Sequence, residues 1–354
     1  MSLFDSPAFE NHEGVHAFCD PEHGLKAIIA VHSTARGPAA GGCRMWAYPN
    51  EQAAMDDALR LSRAMSYKNA VADIELGGGK AVIIGDSRLH KTPGLFEAFG
   101  RAVDSLGGRY WSAEDVGISP ADLAHTRVTT RYVAGLEGHP AASGDPSPVT
   151  AEGIKRGVEL CVQKVYGRGL EGVEIAIQGV GHVGTYLADK LAAAGARLTI
   201  ADVDEDAVRE VAARTGARVV PTSAIFDVDA QVFAPCAMGG AITRASVQRL
   251  KGKIVAGGAN NQLGDPEAGR LLHDRGILYA PDFVINGGGI INIAGEIRAL
   301  ERGEAFDPAW VEMKLSRMVE TLGEVLARAH SEDRLPAEIA IETAKARIAA
   351  AKAG

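Results

Sequence analysis

The stretch of this chain best suited to chemistry holds two lysines and three consecutive glycines. Lys68 precedes Asn69, and further on Glu75-Leu76-Gly77-Gly78-Gly79 leads directly into Lys80. Glycines carry no Cβ, so another backbone or a substrate can come close to them. Two cations above such a floor suit an anionic substrate. Like charge and burial both disfavour a protonated lysine, which would let Lys80 act as a proton acceptor. A phosphate-binding loop is excluded by spacing, because position 74 is Ile and Lys80 is followed by Ala81 instead of Ser or Thr. Asp115 lies just after the short strand expected from Tyr110, and it joins this chemistry if it faces the lysines. Gly37 to Arg44, which includes Ala40, Gly41 and Gly42, reads as a glycine-bearing loop that could expose backbone to a small ligand.

A second centre lies further on. Val173 to Gln178 reads as a strand, followed by Gly179-Val180-Gly181-His182-Val183-Gly184 and a helix to about Ala194. The next strand, Leu198 to Ala201, ends at Asp202. Strand, GxGxxG, helix and a later acid form the dinucleotide-binding unit, with a pyrophosphate at the helix N-terminus. Asp202 would accept from the adenosine ribose and repel a 2′-phosphate, so NAD is expected over NADP. Later strands end in Ala234-Pro235-Cys236 and in Gly257 to Asn261. Loops at the carboxyl ends of parallel strands line the ligand crevice, which places Asn260 and Asn261 at cofactor or substrate. An Asx-turn role fits both asparagines equally well.

The elements that would position these groups are legible from periodicity. Asn50 can cap a helix whose apolar stripe, Ala54, Ala58, Leu61 and Met65, runs on to Lys68, and Asp56 pairs with Arg60 on another face. Ala81 to Ile84 reads as a buried strand, Gly94 to Leu106 as a helix, and the Gly/Pro/Ser-rich stretch from Gly135 to Thr150 as a connection before a helix at about 151–166. A helix opens after Gly287-Gly288-Gly289. Val311, Leu315, Met318, Leu322 and Val325 keep a helical stripe, and a final helix starts near Pro336.

Composition bounds the class. A net charge of −8 without a basic run argues against nucleic-acid or anionic-membrane partners. No apolar run reaches membrane-spanning length, no signal pattern is expected at the N-terminus, and four scattered cysteines read as reduced thiols of a cytoplasmic protein. His12-Glu13-Gly14-Val15-His16 matches HExxH literally, but Gly14 and the nearby turn favour a strand, so no metal is expected.

Taken together, Gly41-Gly42-Cys43-Arg44, Tyr67-Lys68-Asn69, Gly77 to Lys80, Ala113 to Gly117, Pro146 to Thr150 and Gly257 to Leu263 resemble the leucine, valine and phenylalanine dehydrogenase branch of the glutamate dehydrogenase superfamily, most of all leucine dehydrogenases. The resemblance implies an α/β chain of two domains with a cleft between them. An N-terminal substrate and oligomerisation domain would span 1–140, with the helix at 331–354 folding back on it. A Rossmann-type NAD-binding domain would span 141–330. It implies Lys68 on the substrate carboxylate, Lys80 as general base, Asp115 assisting proton transfer, and Thr150 with Ala234-Pro235-Cys236 around the nicotinamide. Ala40, Ala113, Ile290 and Ile293 would wall the side-chain pocket beside Gly41 and Gly42. Glutamate dehydrogenases carry Lys and Ser at the positions of Ala40 and Ile293. Leucine dehydrogenases usually carry a larger residue at 40, often Leu, and Ala at 287, where this chain has Gly287.

The expected reaction is NAD-dependent oxidative deamination of leucine, valine or isoleucine to a 2-oxo acid and ammonia by a cytoplasmic homo-oligomer, a dimer or octamer. A dehydrogenase for phenylalanine or another large amino acid is the alternative. A zinc peptidase using His12, Glu13 and His16, or a silent NAD-binding sensor, stands further off.

Overall fold

The computed structural model describes residues 3–265 and 267–353. The chain opens with β1 (Gly14–Asp20), β2 (Leu25–Ser33) and β3 (Ala39–Trp46), then α1 (Glu51–Val71), β4 (Gly77–Ile84), α2 (Pro93–Asp104), β5 (Tyr110–Glu114) and α3 (Pro120–Arg127). The five strands form one mixed sheet in the order β1-β2-β4-β3-β5. β2 is antiparallel to both β1 and β4, while β3 runs parallel to β4 and β5. Alternation along the strands sends Ile29, Ala81 and Ile83 into a core with α2, while Ile28, Ala30 and Val82 pack with Ala54, Ala58 and Leu59 of α1.

The second sheet is built from α4 (Ser147–Tyr166), β6 (Glu174–Gln178), α5 (His182–Ala193), β7 (Arg197–Ala201), α6 (Glu205–Thr215), β8 (Arg218–Val219), β9 (Val232–Pro235), α7 (Arg244–Arg249), β10 (Ile254–Val255), α8 (Ala268–Asp274), β11 (Leu278–Tyr279) and α9 (Asp282–Ile285). Its six strands are parallel, in the order β11-β10-β9-β6-β7-β8. That is the doubly wound dinucleotide-binding order, reversing between β6 and β9, where ligands of such sheets bind. The helices α10 (Gly288–Arg302), α11 (Pro308–Ser331) and α12 (Pro336–Ala353) follow. Val311, Leu315, Met318, Leu322 and Val325 are buried along α11, as the stripe predicts.

The chain packs into two compact units. One holds the described residues up to Asp145, Ile290–Glu312 and those from Ala344 on. The other holds Pro146–Gly289 and Met313–Thr343. Residues 290–312 thus pack with the first sheet, although the sequence groups them with the cofactor region. Their place is fixed by Glu296, a fully buried carboxylate that accepts from the backbone N–H of Gly135 (2.9 Å), Leu136 (3.3 Å) and Ser143 (3.1 Å) and from Ser143 Oγ (2.6 Å).

Four local expectations change. Gly41 to Arg44 lie in β3 and not in a loop, and β4 begins at Gly77 and not at Ala81. Both runs of glycine are strand because neighbours press on them: a Cβ at Gly78 would lie 2.1 Å from Ser66 N, and one at Gly41 would lie 2.0 Å from Gly79 O. On α1 the buried stripe is Ala54, Ala58, Leu59, Ser62, Ser66 and Asn69, with Leu61, Met65 and Lys68 only half-buried beside it. Ser62 and Ser66 bond His12 and His32, which is why polar side chains hold core positions there. Finally, Arg60 pairs with Asp57, while Asp56 accepts from Ser6 and Gln52.

Candidate active site

The centre of the first unit is built across three neighbouring strands. Lys80 of β4 is 4% exposed, and its Nζ lies 2.7 Å from Asp115 Oδ2. Asp115 follows β5, on the far side of β3. Gly42 of β3 makes the contact possible, since a Cβ there would meet Asp115 Cβ at 2.7 Å and Glu114 O at 2.3 Å. Burial alone would raise the Asp115 carboxyl's pKa. The charges of Lys80 and Arg44 outweigh it and hold the group below the ordinary carboxylate value. The pair therefore couples an ionised carboxylate to a buried amine, an arrangement that can take up and return a proton.

Lys68 stands in the last turn of α1, half-buried. The end of that helix is held from two sides. Asn69 Nδ2 donates to Gly77 O at 2.5 Å, fixing it to the start of β4. Arg347 of α12 donates to Ala70 O at 3.0 Å, which also accepts from Asp73 N, and to Val71 O at 3.1 Å.

Ala40, Gly42 and Arg44 alternate along β3 on the face that α1 covers. Trp111 and Ala113 are the β5 partners of Ala40 and Gly42. Ala40 is 1% and Ala113 7% exposed, so this face offers small apolar side chains beside Lys80. Ile290 and Ile293 lie in the first turns of α10, and Ile293 Cδ1 would be 3.6 Å from a Cβ at Gly135.

The HExxH run does not form a helix. His12 precedes β1, is buried, and its Nε2 bonds Leu59 O and Ser62 Oγ, each at 3.0 Å. Glu13 accepts from Thr34 N and Oγ1, and His16 lies in β1. Among the described residues, no group of three or more His, Cys, Asp or Glu is arranged to hold a metal.

In the second unit, each glycine of Gly179 to Gly184 has a distinct job. Gly179 has φ +98° and lies so near the β9 end that a Cβ would be 2.6 Å from Ala237 N. A Cβ at Gly184 would be 2.1 Å from Gly179 O, so α5 packs close on the loop. A Cβ at Gly181 would meet nothing within 4 Å, leaving open space at the N-cap of α5, which has no side-chain cap. His182 and Val183 open that helix with backbone N–H groups available to an anion. Asp202, at the end of β7, accepts from Val180 N at 2.6 Å. These residues fit a dinucleotide. Ala234 and Pro235 end β9, and Cys236 follows, its thiol pushed up to about 11 by burial. Thr150 Oγ1 donates to Pro146 O. Asn260 accepts from Asn286 Nδ2 at 2.8 Å, and Asn261 has φ +51°, a left-handed value that asparagine tolerates and that Asn11, Asp73 and Asp333 share.

The family model described as "Glu/Leu/Phe/Val dehydrogenase, dimerisation domain" matches residues 12–132, and that of the "Glutamate/Leucine/Phenylalanine/Valine dehydrogenase" matches 198–354. A leucine dehydrogenase of Geobacillus stearothermophilus is 43% identical over 97% of this chain and 92% of its own length. The chain belongs to the Glu/Leu/Phe/Val dehydrogenase family. It is 42% identical to a phenylalanine dehydrogenase of Bacillus thermotolerans, over 85% of this chain and 80% of that protein. The crystal structure of L-tryptophan dehydrogenase from Nostoc punctiforme superposes with a TM-score of 0.85 at 37% identity, covering 97% of this chain and 98% of the other.

As a member of this family the chain is an amino-acid dehydrogenase, an oxidoreductase with a Rossmann-type unit. The structure brings Lys80, Asp115, Gly42, Ala40 and Ala113 onto one face in the first unit, while the cofactor-loop residues group in the second. Sequence reading overlooks Arg44, Asp57 and Tyr48, which form a bonded chain leading away from Asp115. Arg44 Nε donates to Asp115 Oδ2 at 2.9 Å, and its NH1 donates to Asp57 Oδ2 at 2.9 Å. The available signal is the placement of Arg44 two residues beyond Gly42, on the same strand face.

Proposed function

We propose that the protein deaminates apolar L-amino acids oxidatively, leucine, isoleucine and valine foremost, giving 2-oxo acids and ammonia with NAD. The observation that carries this reading is the Lys80–Asp115 pair on a face walled by Ala40 and Ala113. Lys68 binds the substrate carboxylate. NAD, when bound at Gly179 to Gly184 and Asp202, supplies the hydride acceptor. Lys80 takes a proton from the water that adds to the substrate's imine carbon, and Asp115 holds the amine and assists the transfer. Thr150, Cys236, Asn260 and Asn261 are assigned to the nicotinamide and substrate ends of the site, and Ile290 and Ile293 to the pocket wall. With Ala at position 40, a distal substrate carboxylate would lack a partner there. Burying it unpaired costs at least several kcal/mol, so glutamate is rejected. The named activities of relatives on leucine, phenylalanine and tryptophan support an apolar pocket whose size varies.

We further place the enzyme in the cytoplasm as a homo-oligomer, in keeping with four free cysteines and the family's dimerisation domain. Among the described residues, no helix is long and apolar enough to cross a membrane.

The test is a panel of L-amino acids assayed with NAD, and the reverse reaction followed as ammonia-dependent NADH oxidation. Lys80→Ala should lose about 10²–10⁴-fold in kcat with NADH binding intact. Glutamate as the best substrate, or a normal kcat in Lys80→Ala, overturns the reading.

A further inference from the structure

We propose that Arg44 is a positioning residue for the deamination: clamped between Asp115 and Asp57, it holds the Asp115 carboxylate at Lys80 and shares that carboxylate's charge, so that Lys80 can release its proton. This inference deepens the proposed function and rests on it.

The geometry is a chain of alternating charge running from the sheet to the helix above it. Asp115 Oδ2 receives Lys80 Nζ at 2.7 Å and Arg44 Nε at 2.9 Å, both on one oxygen. The other edge of the guanidinium reaches Asp57 Oδ2 of α1 at 2.9 Å. Asp57 is itself fixed, accepting from Tyr48 OH at 2.7 Å and from Arg60 NH2 at 2.6 Å. A planar fork held at two edges has little freedom, and a lysine cannot reproduce that double geometry. Burial disfavours the charge on Arg44, but Asp115 and Asp57 outweigh it and keep the guanidinium protonated.

Two consequences for the chemistry follow from the charges. A carboxylate paired with Lys80 alone would favour the ammonium form and oppose its use as a base. A second permanent cation on the same oxygen offsets that attraction, because a neighbouring like charge disfavours the protonated amine. The other charged or titratable groups around the pair are Arg60 and Tyr48 on Asp57, Glu114 beside Asp115, and Cys43 and Tyr110 in the sheet, both driven far up by burial. Arg44 bonds both Asp115 and a residue of α1.

The experiment is the pH profile of kcat/KM for the apolar amino acid, with NADH binding by fluorescence as the control for folding. Arg44→Gln should lower kcat by about 10–100-fold, as misplacement of a reacting group does. It should also move the acid limb upward by about one pH unit, with NADH binding unchanged. Arg44→Lys, which keeps the charge and loses the fork, should return the limb toward wild type and leave kcat low. Asp57→Asn touches neither Lys80 nor Asp115. It removes an anion and leaves the Arg44 charge less offset, so it should shift the limb less and in the opposite direction, and it carries the test if Arg44→Gln fails to fold. An unmoved limb in both Arg44→Gln and Asp57→Asn, or full recovery of kcat in Arg44→Lys, overturns the inference. A normal kcat in Lys80→Ala would instead overturn the role of Lys80. An inactive Lys80→Ala together with unmoved limbs would remove only Arg44 from the mechanism.

Discussion

Lys80 and Asp115 meet at 2.7 Å across an intervening strand, over a position where that strand carries no side chain. The glycine at 42 is thus as much a part of the proton-transfer pair as the two charged groups.

Gly42→Ala should separate them. The added methyl would meet Asp115 Cβ at 2.7 Å and the Glu114 carbonyl at 2.3 Å, so the segment after β5 must move. Overpacking of this kind costs about 1–3 kcal/mol. Activity should fall much further than stability does, by about 10²-fold in kcat, since displacements near 1 Å suffice for that. Parallel measurement of kcat and Tm checks this, and an unchanged kcat would show that Asp115 need not sit over the glycine.

Ala40→Leu tests the pocket. Ala40 is buried between Gly78 of β4 and Trp111 of β5, its register partners. A leucine there should exclude larger substrates and shift the Val/Phe ratio of kcat/KM by roughly tenfold, the effect of about 1–3 kcal/mol of packing. A ratio equal to that of the wild type would remove position 40 from the substrate wall.

Cofactor choice turns on Asp202. Its carboxylate already bonds Val180 N at 2.6 Å, at the mouth of the glycine loop. NAD should exceed NADP in kcat/KM by a wide margin, and Asp202→Ser should narrow the gap. Equal use of both cofactors by the unaltered enzyme would place Asp202 away from the ribose.

Stability should depend on His32. Burial, with His12 beside it, pushes the imidazole down to about 4. An unfolded histidine titrates near 6.5, so between those values the unfolded chain binds a proton that the folded one refuses. Stability therefore falls as pH drops from about 6.5 toward 4, by up to roughly 3 kcal/mol from this group. His32→Gln, which removes the ring that bonds Ser66 Oγ, should show a shallower fall of Tm with pH than the wild type. Parallel curves would mean that the folded and unfolded chains protonate this ring alike.

What the sequence disclosed, it disclosed through local pattern. The GxGxxG loop with Asp202 needs only strand, turn and helix signals within one supersecondary unit, and Asn50 caps α1 by bonding Ala53 N three residues on. The two lysines stood out as charges beside glycines. Alternation, the usual sign of a strand, is erased where the residues are Gly41-Gly42 or Gly77 to Gly79, so β3 and the start of β4 read as loop. Ser62, Ser66 and Asn69 are equally opaque, because their partners His12, His32 and the Gly77 carbonyl come from distant segments. Arg44, read as the end of the glycine-bearing loop, draws no notice because its partners Asp57 and Asp115 are non-local to it.

The first unit is assembled from three separate stretches of chain, and this sets an order on its completion during synthesis. Up to Asp145 its sheet and helices are already made, yet the acceptor for the amides of Gly135, Leu136 and Ser143 is Glu296, and the cap on the helix that carries Lys68 is Arg347. A ribosome must pass through the whole parallel sheet before either arrives. The nascent substrate unit therefore waits with the amides of Gly135, Leu136 and Ser143 lacking their Glu296 acceptor, and during this interval a chaperone would find that backbone exposed.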